Sequence, residues 1–359
     1  MVGGIRVHAM IQRLELENFS VFAELSWKLS SGANVVIGDN GTGKSHLLKI
    51  LYAVQSTLYR ASLESGAPWT RDQWQREFAR RIVALFRPDS LGRLVARNGN
   101  GTRARVVVGL ANGSNVAFAF ANNSSVRVEI DGPVPSPIVD PPIFLPSHEM
   151  LANVLGFAAA FDRRELQFDE TYRDLARLLE NAPLRGRPPE AMRPIRDTLR
   201  ELLKGNVERR ADGSFELVPD ARGEGAMEAP LLAEGHRKIA TLAYLVRNGQ
   251  LGTAPTLYWD EPEANLNPRT LAKVARLVAW IAAAGVQVVM ATHSLFLLRE
   301  FMLLQETGGL RAVQYSALGR SDRGRVSMQT HSDANQVGPI DALDADLEQA
   351  DRFVLRPVS

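Results

Sequence analysis

The sequence contains no cysteine, which excludes disulfide bonds and thiolate metal sites. Only six histidines are scattered along the 359 residues, so a dedicated histidine metal cage is not expected either. Long apolar runs are also missing. The best candidate is VARLVAWIAAAGVQVVMA at 274–291, which contains Arg276 and Gln287 and fits an amphipathic helix followed by a buried strand. We therefore expect a cytoplasmic protein without membrane insertion.

A strong charge imbalance is absent as well. The formal net charge is only +2, so the overall charge gives little reason to expect nucleic-acid binding. Arginines gather at 71–87 and 185–200, in stretches with helical patterning. Such runs are usually the solvated face of a helix, and a local basic surface is the alternative interpretation.

The order of the predicted elements indicates an α/β fold whose core is divided between the two ends of the chain. Residues 11–37 alternate as three short strands, and 44–62 carry one apolar helical face. Helices and strands alternate again from 234 onward, which is typical of parallel strands with helical crossovers: 235–248, 256–260, 268–284, 286–292 and 295–304. The intervening region combines antiparallel strands (103–130), a helical stretch (151–204) and a hairpin (207–219).

The most specific motif is GDNGTGKS, which satisfies G-x-x-x-x-G-K-[ST] between the predicted strand NVVI and the helix starting near Lys44. Its glycines allow successive N–H groups to point at phosphates, and the helix N-terminus adds a favourable dipole. Lys44 would reach the β- and γ-phosphates, and the Ser45 hydroxyl would bind Mg²⁺. The predicted nucleotide contacts are Gly38, Asp39, Asn40, Gly41, Thr42, Gly43, Lys44 and Ser45.

Carboxylates follow an apolar strand in TLYWDEPEANLNP, residues 256–268. Charges there are costly to bury unless a cation pairs with them. If this strand lies beside the phosphate-loop strand, Asp260 can hold the Mg²⁺ and Glu261 can act as general base on the attacking water. The alternative is that both residues only cap the following turn. Glu263 has no assigned role, and faces either a dimer seam or solvent.

These segments resemble the motif series of ABC-type ATPases. Asp-Glu at 260–261 resembles Walker B, ANLNP (264–268) the D-loop, VQVVMATHS ending near His293 the switch strand, and AEGHRKIATLAYLV the signature segment. The resemblance implies a P-loop NTPase that binds ATP and Mg²⁺, with Lys44, Glu261 and His293 as catalytic residues. It also implies a homodimer enclosing two ATP molecules. A purely structural role for His293 is the alternative.

The signature resemblance is altered at its centre. Gly235 opens a predicted helix and is followed by basic residues at 236–238, which together would make an anion site. Gly235 and Arg237 are therefore the candidate contacts to the ATP of the opposite subunit. The family's serine-glycine-glycine is replaced by Ala233-Glu234-Gly235, so a carboxylate stands where the serine hydroxyl would be. A basic helix start on the surface is the alternative.

Two other family features are weakly matched. No glutamine loop is evident, and the suitable place, after the strand PIFLP, holds Ser147, His148 and Glu149. Adenine contacts should come from the segment NFSVF, where Phe19 or Phe22 either stacks on the base or belongs to the core.

About 190 residues separate Lys44 from Gly235, and this gap, LELENFSVF and DEPEANLNP are similar to the RecF, structural-maintenance-of-chromosomes (SMC) and OLD-like branch. Within it, the chain resembles compact stand-alone AAA-type ATPases of the phage-defence or toxin–antitoxin kind. We expect N-terminal strands with the P-loop at 1–62, an inserted helical and β-hairpin lobe at 63–230, the signature, Walker B and switch part at 231–320, and a C-terminal tail at 321–359. Asp341, Asp344 and Asp346 in the tail are either metal ligands or, more simply, a solvated helix start.

The leading hypothesis is Mg-dependent ATP hydrolysis that drives nucleotide-gated dimer closure. Closure would act as a switch on DNA or on an effector, such as a nuclease or toxin from a neighbouring gene, in DNA repair or phage defence. One alternative is the nucleotide-binding subunit of a membrane transporter. Another is an ATP-binding regulatory module with little turnover.

Overall fold

A computed structural model of the chain describes residues 9–96, 102–186, 189–321, 324–338, 349 and 352–353. Asp341, Asp344 and Asp346 lie outside the described residues. The strands are β1 (Ile11–Phe19), β2 (Phe22–Lys28), β3 (Ala33–Gly38), β4 (Arg103–Leu110), β5 (Asn115–Ala121), β6 (Glu129–Ile130), β7 (Ile143–Leu145), β8 (Gly205–Arg209), β9 (Phe215–Pro219), β10 (Met227–Glu228), β11 (Thr256–Asp260), β12 (Gln287–Thr292), β13 (Val313–Arg320) and β14 (Val326–His331). The helices are α1 (Lys44–Leu63), α2 (Arg71–Phe86), α3 (Phe157–Asp162), α4 (Glu170–Leu179), α5 (Arg193–Leu203), α6 (Glu234–Arg247), α7 (Gln250–Thr253), α8 (Pro268–Ala283) and α9 (Leu295–Glu306).

The central sheet has six strands in the order β14-β13-β3-β12-β11-β7. Its neighbours pair in parallel from β13 to β7, and β14 adds an antiparallel edge. All residues of β3, β11 and β12 are buried, as expected for parallel strands covered on both faces. The predicted α/β fold with parallel strands is confirmed.

The condition stated for Asp260, that its strand lies beside the phosphate-loop strand, is not met. β11 does not lie beside the phosphate-loop strand β3, because β12 pairs with both and separates them. The three strands still run parallel, so their carboxyl ends meet at one edge of the sheet. The phosphate loop after β3, the carboxylates after β11 and His293 after β12 are therefore brought together.

A second sheet, antiparallel throughout, has the order β2-β1-β4-β5-β6. Leu14 of β1 pairs with Trp27 of β2 on one side and with Val108 of β4 on the other. Its buried face packs on the apolar face of α1. This sheet crosses the proposed division between 1–62 and 63–230, since β4 to β6 complete a sheet that β1 and β2 begin.

The two large sheets are joined by a buried glutamine. The Gln287 side chain at the start of β12 accepts a hydrogen bond from the Ile11 N–H (3.0 Å) and donates to the Ile11 carbonyl oxygen (2.7 Å). Because an unpaired buried amide is costly, this exchange fixes the position of β1 relative to β12. The predicted boundary of the C-terminal tail is also crossed: β14 lies within 321–359, but it pairs with β13 and extends the central sheet.

Helices α3 to α5 and the three-stranded sheet β10-β9-β8 form the remainder of the inserted region. The predicted helical stretch 151–204 is thus divided into separate helices, and the predicted hairpin is β8 and β9. The helices α4 and α5 and the strand β8 pack against α6. The signature helix is therefore held between this region and the central sheet.

An ion-pair network links α1, α2 and α4. Arg81 lies in the run that was expected to be solvated, but its side chain is 6% exposed and pairs with Glu170 and Asp174. The Tyr52 hydroxyl donates to Asp174 (2.8 Å), and Lys49 on the same helix lies 2.8 Å from Asp169. Removing one partner of a buried ion pair costs about 3–5 kcal/mol, so the network holds α4 firmly on α1.

Candidate nucleotide site

The phosphate loop joins the buried end of β3 to α1. Gly41 (φ 78°) and Gly43 (φ 93°) adopt the left-handed conformation that favours glycine. A Cβ on Gly43 would lie 2.6 Å from Val21 Cγ2 and 2.7 Å from Phe22 Cζ. Since Gly43 is also the N-cap of α1, the first N–H groups of this helix have no side-chain cap. The loop thus has the backbone shape of an anion cradle, with Asp39 and Asn40 exposed at its tip.

Lys44 lies inside this loop. Its ammonium group donates to the carbonyl oxygens of Gly38 (2.5 Å) and Asp39 (2.9 Å), and the residue is buried. Burial lowers the pKa of Lys44, and the nearby carboxylates of Glu261 and Asp260 oppose this shift. A cation is therefore held at the mouth of the helix, where phosphate binding requires one.

The predicted metal ligands are in direct contact. The Ser45 hydroxyl donates to Asp260 Oδ1 over 3.0 Å, although the two residues are 215 positions apart in the chain. Burial raises the pKa of the Asp260 carboxyl to about 6, while the bond from Ser45 lowers it and the charge of Glu261 raises it further. A hydroxyl and a carboxylate side by side are oxygen ligands of the kind that Mg²⁺ prefers when phosphates complete its coordination.

We expect Asp260 to make the metal-free, nucleotide-free protein less stable as the pH rises. Its pKa is near 4 in an unfolded chain and about 6 in the folded protein, so folding disfavours the charged form. The group has no cost below about pH 4 and its full cost, about 3 kcal/mol, above about pH 6. Between about pH 4 and about pH 6, the free energy of unfolding of wild type should therefore fall by that amount relative to that of Asp260→Asn. Urea denaturation in EDTA measures both. Parallel pH profiles for the two proteins would contradict the assignment.

Glu261 has an unusual backbone conformation for a side chain of its size. Its φ is 47°, in the left-handed region. Its N–H donates to the Ala291 carbonyl oxygen (2.9 Å), and its own carbonyl oxygen accepts from Lys238 Nζ (3.1 Å). Strained conformations held by their surroundings cluster at functional sites. The Glu261 side chain stays one-third exposed, so its carboxylate can reach a water.

Glu263 is neither solvent-exposed nor free. It is buried, and its Oε1 accepts from the Thr292 hydroxyl (2.8 Å) and the His293 N–H (2.8 Å). The same oxygen lies 3.1 Å from His293 Nδ1, whereas Glu261 Oε1 is 3.9 Å from that nitrogen. Of the two alternatives for Glu263, a dimer seam or solvent, solvent exposure is excluded, because the side chain binds the end of the neighbouring strand.

The signature segment begins at a close contact. Gly235 is buried, and a Cβ there would lie 2.3 Å from the Asn265 carbonyl oxygen, so α6 rests directly on the D-loop. Arg237 lies one residue beyond the first turn, but its Nε is 2.5 Å from Glu149 and its guanidinium also donates to the Leu232 carbonyl oxygen (2.7 Å). Arg237 is therefore engaged within its own chain. Contact of Gly235 or Arg237 with ATP stays a prediction.

Comparisons with known proteins show what this chain is similar to. Residues 141–299 match the family model described as "AAA domain, putative AbiEii toxin, Type IV TA system". The chain is 27% identical over 173 residues to the DNA replication and repair protein RecF of Brucella suis biovar 1 (strain 1330), a match that covers 48% of this chain and 44% of that protein. In its motifs and in these matches, the chain is similar to RecF/SMC-like, ABC-type P-loop ATPases.

Solved structures agree with this assignment. The SmcHead bound to the C-winged helix domain of ScpA has a TM-score of 0.57 at 14% identity, over 91% of this chain and 98% of that chain. The Smc head domain with an extended coiled coil, bound to the C-terminal domain of ScpA derived from Pyrococcus furiosus, gives 0.55 at 13% identity, over 96% and 99%. At these identities the likeness shows the fold alone. No helix in the described part of the chain is long and apolar enough to cross a membrane.

Of the two alternatives for Phe19 and Phe22, stacking on adenine or packing in the core, the structure supports the core. Phe19 and Phe22 are fully buried, and Phe19 packs edge-on against Phe86 and Phe120. A cavity of about 330 Å³ instead lies beside the phosphate loop, and its lining includes Ser20, Val21, His46, Arg93 and Arg320.

Arg320 is a site residue that the sequence did not reveal. Its guanidinium, at the end of β13, donates to the Gly41 carbonyl oxygen over 2.6 Å. The contact spans 279 residues. No motif marks it, because it arises only from the pairing of β13 with β3.

Proposed function

We propose that the protein hydrolyses ATP with Mg²⁺, and that ATP binding closes two copies of the chain into a dimer. The observation that carries this proposal is the hydrogen bond between Ser45 and Asp260, which unites two sequence motifs into one metal-binding pair. Glu261 and His293 lie at the same edge of the sheet. This arrangement supports phosphoryl transfer to water more directly than phosphate binding alone.

The residues of this chain then have distinct roles. The loop 38–45 binds the phosphates through backbone N–H groups, and Lys44 places a positive charge among them. Ser45 and Asp260 would hold Mg²⁺, which supplies neutralisation of phosphate charge when bound. The Glu261 carboxylate accepts a proton from the attacking water, and His293 contacts the γ-phosphate or that water.

The proposed dimer places α6 of one copy against the γ-phosphate held by the other. The N–H groups at the start of α6 and the exposed His236 are available for such a contact, and Gly235 keeps the helix close to the D-loop. Arg237, bound to Glu149, would contribute mainly by joining α6 to the segment after β7. In this proposal the dimer works in the cytoplasm as a switch on DNA or an effector protein.

A second candidate is an ATP-binding module with little turnover. Glu234 favours it, because a carboxylate at the start of α6 disfavours an anion at that helix end.

Mass measurement and steady-state kinetics distinguish these candidates. With Mg–ATP the mass measured by light scattering should double relative to ADP, and phosphate release should increase when double-stranded DNA is added. A monomer under both nucleotides contradicts closure. ATP-dependent dimerisation without phosphate release supports the second candidate, and a DNA-independent rate favours a protein effector.

A further inference from the structure

Glu263 and His293 form a carboxylate–histidine pair that the proposed roles do not use. Glu263 Oε1 lies 3.1 Å from His293 Nδ1, within hydrogen-bonding distance. Glu261, the proposed general base, is farther from the ring: its Oε1 lies 3.9 Å from His293 Nδ1, beyond hydrogen-bonding distance. Glu263 is therefore the carboxylate that touches the ring.

The surroundings of Glu263 hold its carboxylate in one place. The Thr292 hydroxyl and the His293 N–H both donate to Oε1, so the oxygen that touches the ring is also bound to the end of β12. The side chain is 7% exposed. Burial lowers the pKa of Lys44 and of Lys238, and the charge of Glu263 opposes both shifts. The two hydrogen bonds to Oε1 therefore set the position of Glu263 relative to the strand that carries His293.

A carboxylate at this distance determines which nitrogen of a neutral imidazole carries the proton. When the proton is on Nδ1, facing the carboxylate, Nε2 is left with its lone pair. The ring is also prevented from rotating, although the His293 side chain is 51% exposed. A histidine oriented in this way can present the Nε2 lone pair reproducibly to a water that donates to it.

We propose that Glu263 is the positioning residue for His293, holding it as the Nδ1–H tautomer with Nε2 available to the reaction. This inference rests on the proposed ATP hydrolysis for its consequence, but the tautomer itself exists without nucleotide. In this arrangement Glu261 is free to act on water, because a different carboxylate orients the histidine. Of the three carboxylates in DEPE, Glu263 thus contacts the neighbouring strand, whereas Asp260 would bind the metal and Glu261 would act on the water.

The first test reads the tautomer directly in nucleotide-free protein. Nitrogen-15 NMR of labelled histidine side chains at about pH 8.5, where an ordinary histidine is neutral, distinguishes the two tautomers. The His293 signals are assigned by their loss in His293→Gln. We expect the Nδ1–H form in wild type and a shift toward Nε2–H in Glu263→Met, which keeps the length of the side chain without an acceptor. An unchanged tautomer in that variant overturns the proposal.

The second test uses kinetics and a conservative variant. Glu263→Met should lower kcat for ATP by about 10- to 100-fold, the loss typical when a carboxylate that orients a functional histidine is removed. The KM should change by less than about threefold, since Glu263 does not touch the nucleotide. Glu263→Gln keeps the size and one acceptor oxygen and should recover part of the loss. Glu224→Gln, which removes an exposed carboxylate, is the matched control and should resemble wild type.

The outcomes separate this proposal from the function on which it rests. If wild type shows the Nδ1–H tautomer but no phosphate release, ATP hydrolysis fails and the positioning of His293 stands. If wild type hydrolyses ATP and Glu263→Met retains both tautomer and kcat, the positioning role fails. Should Glu263→Met not fold, as judged by thermal unfolding, the tautomer of Glu263→Leu decides, because leucine has no acceptor: an Nδ1–H population equal to that of wild type, together with unchanged kcat, contradicts the proposal.

Discussion

Glu261→Gln should bind ATP and form the closed dimer while losing nearly all phosphate release. The amide has the size of the carboxylate but cannot accept the proton of the attacking water. General-base catalysis typically contributes about 10²- to 10⁴-fold, and we expect a fall in kcat of that size. The contacts that hold residue 261, to Ala291 and Lys238, use its backbone and are retained in the variant. Phosphate release and light scattering on the same sample measure both effects.

The same exchange at Glu24, an exposed residue of β2, is the control for loss of a carboxylate elsewhere. A normal rate in Glu261→Gln would contradict its role as general base. A loss of ATP binding would instead show that the Glu261 side chain is needed to maintain the shape of the site, where its backbone has the left-handed conformation at φ 47°.

Lys44→Ala should reduce ATP affinity by about 100-fold or more, as measured by calorimetric titration. Removing one partner of a buried, hydrogen-bonded charge pair costs about 2–5 kcal/mol, and each 1.4 kcal/mol is tenfold in affinity. The buried ammonium also offsets the charge of Asp260 and Glu261. The variant therefore leaves the phosphates without a cation in a site rich in carboxylates.

Lys28→Ala, at an exposed position of β2, removes a lysine without touching the loop and should bind ATP normally. Thermal unfolding without nucleotide shows whether Lys44→Ala is folded. A folded Lys44→Ala with wild-type affinity would disprove the phosphate-loop assignment.

The parts of the site that lie in short contiguous motifs were predictable from the sequence. The loop 38–45 is contiguous, so its glycines, lysine and serine determine the geometry together, and Asp260 follows the same logic at a strand end. The contact between Ser45 and Asp260 required only that both motifs face one edge of a parallel sheet. The order of strands within that edge was not predictable, because both orders bury the same apolar residues.

Non-local pairing explains the rest of the differences. β1 and β4 pair across the phosphate loop, α1 and α2, and nothing in either strand specifies its partner. Phe19 and Phe22 lie in a segment where adenine contacts were expected, yet the packing of β1 and β2 on α1 buries them. The role of Glu263 depends on β12 being the neighbour of β11. The signal in the sequence was that Glu263 is a third carboxylate close to a strand end, in a segment, 256–268, that contains no lysine or arginine to balance it.

The helix α1 begins at the phosphate-binding lysine and continues for 20 residues. Lys49 and Tyr52, on its first turns beyond the loop, attach it to Asp169 and Asp174 at α4. A helix of this length is about 30 Å long, so a tilt of about 5° at one end displaces the other by about 3 Å. Because α4 is fastened to it, the inserted region must travel with the helix. A movement of the phosphate loop would therefore pass through α1 to α4 and reach the surface of the inserted region.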